Sequence, residues 1–248
     1  SGFSFSICFC CSEILSFKDP EFKFNSIELK DLTFKYKEAE KNILSNVNFK
    51  ILENDKIGII GKTGSGKTTL INIICGLIKS DSGQILLNGE DMHLENETKI
   101  WQKSLSYVSP DTYILDESIM FNVTFENEKL INIQKLNEVL DAVQLTEFVK
   151  EFTEGIYGKV GENGSKLSMG QKQRLGIARA LYKDPKILIL DEATSFLDDV
   201  TEQKILQKLF EYSNTKTIIS ISHRKSSLKN FNKIFEIKDK NVTKVNFN

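Results

Sequence analysis

Eight consecutive residues, Gly61, Lys62, Thr63, Gly64, Ser65, Gly66, Lys67 and Thr68, have the types and spacing to grip a phosphate chain. They fit G-x-x-x-x-G-K-[ST], the phosphate-binding loop pattern. Glycines let the backbone wrap closely enough for its N–H groups to face phosphate oxygens. Lys67 is placed to reach the β- and γ-phosphates and the Thr68 hydroxyl to bind Mg²⁺, with Thr69 closing the binding set. Further along, Asp191 and Glu192 end an apolar run. The charge of Asp191 suits Mg²⁺, held through water, and Glu192 is placed to orient or deprotonate an attacking water. The chemistry these residues spell is Mg²⁺-dependent hydrolysis of a nucleoside triphosphate. The bland alternatives are a glycine turn with an incidental lysine and a solvated Asp-Glu turn.

The flanking elements decide against those alternatives. Lys56 to Ile60 is a short apolar run suited to a buried strand, and Leu70, Ile71, Ile73, Ile74, Leu77 and Ile78 recur at helical spacing. Strand, glycine loop, helix is the setting that turns the pattern into a site, with the positive end of the helix dipole at the phosphates. Lys186 to Leu190 and Thr217 to Ser222 read as strands buried on both faces of a parallel sheet. Ligands gather at the carboxyl ends of such strands, so Asp191, Glu192 and His223 are expected near the loop. Upstream, Ile27 to Lys30, Leu32 to Tyr36 and Val47 to Ile51 alternate as half-buried strands of an antiparallel sheet. Tyr36 ends one of them and offers a ring to a base, though a strand-edge aromatic is the simpler reading. Gln84 to Leu87 is a strand before the tight-turn pair Asn88-Gly89, and Leu105 to Ser109 is another. From Glu117 to Tyr182 the period turns helical, with Ile133, Leu136, Val139, Leu140 and Val143 as one apolar stripe. Lys233 to Ile237 and Val242 to Val245 read as a terminal hairpin.

The predicted fold is therefore α/β: a P-loop NTPase, RecA-like core with an antiparallel β-subdomain and an inserted α-helical subdomain at about 117–182. Residues 26–248 form this nucleotide-binding domain, and 1–25 an appendage. The balance of 33 basic and 34 acidic residues, with no Lys/Arg block, excludes nucleic acid as the main partner. Cys8, Cys10 and Cys11 are bunched, but no histidine lies near and a structural zinc site needs four ligands, so an apolar tail is the simpler reading. Cys75 reads as a small core residue. No disulfide framework is present, which agrees with a reducing cytosol. Phe3 to Leu15 falls short of the ~20 residues of a membrane span and lacks the basic start of a signal peptide. It reads as the end of a preceding helix, a linker from a membrane domain, or non-native residues.

Leu167-Ser168-Met169-Gly170-Gln171 closely resembles the LSGGQ signature of ATP-binding cassette (ABC) proteins. The resemblance runs from Ser26 to the end. Tyr36 matches the adenine-stacking aromatic, Gly61 to Thr68 Walker A, and Leu190-Asp191-Glu192 Walker B. Ser195-Phe196-Leu197-Asp198 is similar to the D-loop and Ser222-His223-Arg224 to the H-loop. Lys159-Val160-Gly161-Glu162 looks like the X-loop of ABC exporters, which touches the membrane domain. A looser likeness, over Asp111 to Val123 and His223 to Ile237, is to flippases of lipid-linked oligosaccharides. The resemblance implies two nucleotide-binding domains facing head to tail, as a homodimer, with each ATP between one loop and the other's signature. Ser168, Gly170 and Gln171 would meet the γ-phosphate in trans, and His223 would hold it on the Glu192 side. It further implies a transmembrane domain as partner, at the cytoplasmic face of the inner membrane. Catalysis would rest on Glu192, His223 and Lys67, metal binding on Thr68 and Asp191.

Two residues depart from the family pattern. Pro110 stands where the family has a glutamine that touches Mg²⁺, and proline offers neither side-chain donor nor N–H. Met169 replaces the first signature glycine. Rival readings are an ABC ATPase not coupled to transport, which predicts a coiled-coil insertion or second cassette, and a binding-only domain that has lost hydrolysis.

Overall fold

A computed structural model describes residues 22–92 and 95–245. The expectations for Cys8, Cys10, Cys11 and the stretch from Phe3 to Leu15 fall outside these residues. In chain order the elements are β1 (Ser26–Phe34), β2 (Leu44–Leu52), β3 (Lys56–Gly61), α1 (Lys67–Ile74), β4 (Ser82–Leu87), β5 (Glu90–Asp91), α2 (Glu95–Ser104) and β6 (Leu105–Val108). There follow α3 (Ile119–Thr124), α4 (Ile133–Ala142), α5 (Thr146–Lys150), α6 (Met169–Tyr182), β7 (Ile187–Asp191), α7 (Asp199–Tyr212), β8 (Thr217–Ile221), β9 (Lys233–Lys238) and β10 (Asn241–Val245).

The chain divides into two compact units. Of the described residues, a sheet unit takes in those from 22 to 106, then 185–189 and 215–245; a helical unit takes in 107–184 and 190–214. The sheet unit holds an antiparallel sheet in the order β2-β1-β4-β5 and a second sheet in the order β10-β9-β3-β8-β7-β6. In the second sheet β3 runs parallel to both β8 and β9, while β9 and β10 form the expected hairpin. All five residues of β7 and of β8 are buried, as a strand covered on both faces requires. The last two residues of β6 and of β7 pass into the helical unit.

Two expected strands, Ile27 to Lys30 and Leu32 to Tyr36, are one strand. Asp31 adopts φ 49°, and the pairing with β2 shifts between Leu29 and Leu32. One extra residue at this bulge restores the inward phase, so Ile27, Leu29, Leu32 and Phe34 are all buried. The strand stops at Phe34, so Tyr36 lies beyond it rather than at its end.

Helix α1 is shorter than its apolar spacing predicts. It stops at Ile74, Gly76 takes φ 69°, and Leu77 is 44% exposed. The freed carbonyls find partners from α2: Trp101 Nε1 donates to Ile74 O at 2.6 Å, and Gln102 Nε2 donates to the carbonyls of Cys75 (3.3 Å) and Gly76 (3.2 Å). Trp101 is fully buried, and Phe24 packs against it with ring centres 5.5 Å apart.

In the helical unit, α4 buries Leu136, Val139 and Leu140, and Val143 follows them inward. Ile133, counted in the same stripe, is instead 41% exposed at the helix start. Arg179 of α6 is buried, and each of its three nitrogens donates a hydrogen bond. It donates to Asn122 O (2.8 Å) and Tyr113 O (3.0 Å) and lies 4.6 Å from the centre of the Phe125 ring. A buried guanidinium is tolerated only with such partners, and here they pin α3 to α6.

Candidate nucleotide site

In the sheet unit the phosphate loop hangs between β3 and α1. Gly66 caps α1 at φ 102°, and a Cβ there would sit 2.9 Å from Ile43 Cγ2. Only glycine meets both constraints. The cap residue Gly66 has no side chain, so none caps α1 from that position. Lys67 is 6% exposed, and its ammonium arches back to donate to Gly61 O (3.0 Å) and Lys62 O (3.2 Å). Ser65 Oγ is buried and makes no hydrogen bond among the described residues. A buried donor without a partner is costly, and a phosphate oxygen is the kind of acceptor that would satisfy it. Gly64 faces open space, and Lys62, Thr63 and Thr68 are exposed.

Tyr36 stands over the same helix. Its hydroxyl and Thr69 Oγ1 are 3.1 Å apart, its ring meets Phe34 edge-on at 4.9 Å, and it stays 44% exposed. His223 belongs to the same end of the sheet. β3 and β8 are parallel with Ile59 opposite Ile221, so the loop after β3 and the turn after β8 leave the sheet on one side. Ser222 N donates to Ile59 O at 3.3 Å, and the next residue, His223, is exposed.

The helical unit carries the carboxylates and the signature. Asp191 is 2% exposed and accepts a hydrogen bond from the Tyr107 phenol at 2.8 Å. A hard carboxylate here and a hydroxyl at Thr68 are the donor types Mg²⁺ takes. Glu192 sits at φ 50°, a conformation that costs a non-glycine residue about 1–2 kcal/mol. Its carbonyl accepts from Ser195 N (3.1 Å) and from Gln173 Nε2 (3.3 Å).

Ser168 and Gln171 form a capping box at the start of α6. Ser168 Oγ accepts from Gln171 N (3.2 Å), and Gln171 Oε1 accepts from Ser168 N (2.7 Å). Gly170 lets the Ser195 to Asp198 turn close on α6, because a Cβ would stand 3.0 Å from Leu197 Cδ2. Arg174 donates to Gln144 O at 2.7 Å; burial pushes its guanidinium below the usual range, and Asp198 partly offsets this. Val160, inside the exporter-like Lys159 to Glu162 segment, is fully buried and donates its N–H to Glu117 O. Pro110 and Met169, the two departures, line one cleft of about 210 Å³ with Asp111, Tyr113, Asn163 and Lys172.

Two residues at this site escaped the sequence reading. Gln173 is a buried polar side chain on a helix face shared with Ile177 and Leu181, and that mismatch was its only sequence signal. Tyr107 carried none, since a strand aromatic does not announce a partner 84 positions away.

The family described as ABC transporter matches residues 44–195. An export ATP-binding/permease protein of Rickettsia typhi is 40% identical over 220 residues, covering 88% of this chain and 38% of that protein. An ATP-dependent lipid A-core flippase of Francisella novicida is 38% identical over 212 residues, covering 84% of this chain and 35% of its own length. The chain thus spans under two-fifths of these relatives. Among solved structures, a bacterial Atm1-family ABC exporter with ATP bound superposes with a TM-score of 0.80 at 28% identity, over 89% of this chain and 38% of that one.

Proposed function

The chain belongs to the ABC transporter family, as an ATP-binding ATPase domain of the exporter type, and from that premise we propose that it drives a substrate across a membrane by closing and opening a two-copy ATP sandwich. The observation that carries this reading is the phosphate loop, with its buried Lys67, its unpartnered Ser65 hydroxyl and its glycine-capped helix start. Lys67 and the loop N–H groups bind the β- and γ-phosphates, and Tyr36 stacks on the base. Ser168, Gly170 and Gln171 at the start of α6 contact the γ-phosphate held on a second copy, while His223 steadies it on the Glu192 side. Glu192 takes a proton from the attacking water. Thr68 and Asp191 would hold Mg²⁺, which would supply charge neutralisation to the phosphates.

No described helix is long and apolar enough to cross a membrane. In this reading, which rests on the exporter relatives, a transmembrane domain is the partner, at the cytoplasmic face of the inner membrane. The relatives bear the names of an export permease and a lipid A-core flippase. A lipid-linked oligosaccharide belongs to the same broad class of cargo, and the membrane domain selects it.

Glu192→Gln tests the core of the proposal. The amide is nearly isosteric but accepts no proton, so ATP binding should survive while turnover is lost. With hydrolysis blocked, light scattering should report twice the mass with ATP and the single-chain mass with ADP. Equal masses in both, at high protein concentration, exclude the sandwich; wild-type turnover removes Glu192 as the base.

A further inference from the structure

Gln173 is 1% exposed, yet it is an amide on the packed face of α6. Every polar group on it is spent on one turn of chain. Nε2 donates to Glu192 O (3.3 Å) and to Ser195 Oγ (3.0 Å), and Oε1 accepts from Phe196 N (3.0 Å). A leucine would fill similar space without the desolvation cost of an amide. The three bonds instead fix the backbone on which Glu192 stands, and Glu192 needs fixing because its φ of 50° is not one it adopts unaided.

The other end of the link is the signature. α6 begins at Met169, and Gln173 lies four positions on, about one helical turn into the helix that Ser168 caps. A tilt of the helix start therefore moves the Gln173 amide, and with it the Glu192 carbonyl. In the sandwich proposed above, on which this inference rests, the signature of one copy faces the ATP of its partner, whereas its Glu192 serves its own ATP. We infer that Gln173 is a positioning residue that sets Glu192 according to whether the same copy's signature has engaged the partner's ATP, so that hydrolysis at one site depends on occupancy of the other.

Gln173→Glu isolates the effect. The carboxylate keeps an acceptor for Phe196 N but loses both N–H donors and sets an oxygen against the Glu192 carbonyl. Turnover should fall by about tenfold or more while the ATP dissociation constant by calorimetry stays within about twofold. The Hill coefficient for ATP in steady-state turnover should drop towards one. A second copy of the experiment in the Glu192→Gln background should still show the ATP-dependent mass doubling. Turnover within about twofold of wild type with unchanged cooperativity overturns the inference. So does a parallel loss of affinity, dimer and melting temperature, which marks Gln173 as a packing residue alone. If Gln173→Glu folds poorly, Gln173→Met, uncharged and of similar shape, decides by the same readings. Failure of Glu192→Gln itself to double in mass sinks the sandwich reading, a result separate from any change at Gln173.

Discussion

The Tyr107 phenol donates to Oδ2 of Asp191 at 2.8 Å, joining the third residue of β6 to the last of β7. One carboxylate oxygen is thereby turned to the phenol, which fixes the direction of the other. Tyr107 also stands three positions before Pro110, a residue with no side-chain oxygen to offer a metal.

Tyr107→Phe keeps the ring and deletes the bond. The Mg²⁺ concentration for half-maximal turnover should rise about three- to tenfold, the equivalent of a charge-assisted hydrogen bond partly compensated by water. ATP affinity measured in EDTA should not change. An unaltered Mg²⁺ requirement, followed independently by Mn²⁺ binding, would show that the phenol does not direct this carboxylate.

Lys67→Ala should cost at least about tenfold in ATP affinity, because it removes the one ammonium enclosed by the loop. ATP should then give little thermal protection, since stabilisation follows ligand concentration over its dissociation constant. Undiminished binding by calorimetry counts against the whole site.

Ser168→Ala removes half of the capping box and should lower stability in urea by about 1 kcal/mol. Turnover should fall as well, because the same helix start faces the partner's phosphate in the sandwich proposed above. A midpoint identical to wild type would mean the box adds nothing.

Pro110→Gln places an amide in the cleft that Pro110 shares with Met169. Asp111 next to it is exposed, with its carbonyl held by Ser109 Oγ at 2.7 Å. Mg²⁺ affinity or turnover should rise modestly, about two- to threefold, as one more oxygen ligand replaces a water. A large loss of ATPase activity would assign the proline a shaping role in this turn.

What the sequence made legible is what is local. The phosphate loop, the buried β7 and β8 runs, the Asn88-Gly89 turn and the terminal hairpin each write their chemistry in adjacent residues. The end of α1 does not. Leu77 and Ile78 continue its apolar rhythm, but the helix closes where Trp101 and Gln102 reach its carbonyls from 26 or 27 positions away. The same holds for Tyr107 and Gln173, whose roles exist only through partners 84 and 19 to 23 positions off. The bulge at Asp31 hid a single strand because an inserted residue breaks the alternation that marks one.

The parallel pairing of β3 with β8 and β9 has a consequence for how the protein is born. Asn54 N bonds Thr217 Oγ1 across 163 positions, and Lys56 N bonds Asn232 Oδ1 across 176. The strand that carries the phosphate loop leaves the ribosome with both edges bare. At synthesis rates of about 5–20 residues per second it waits roughly ten to thirty seconds for its neighbours. Unpaired strand edges invite pairing with other chains. The nascent polypeptide is therefore open to such pairing during that interval, and a chain cut short before Thr217 would carry the complete phosphate-binding sequence without the neighbouring strands β8 and β9.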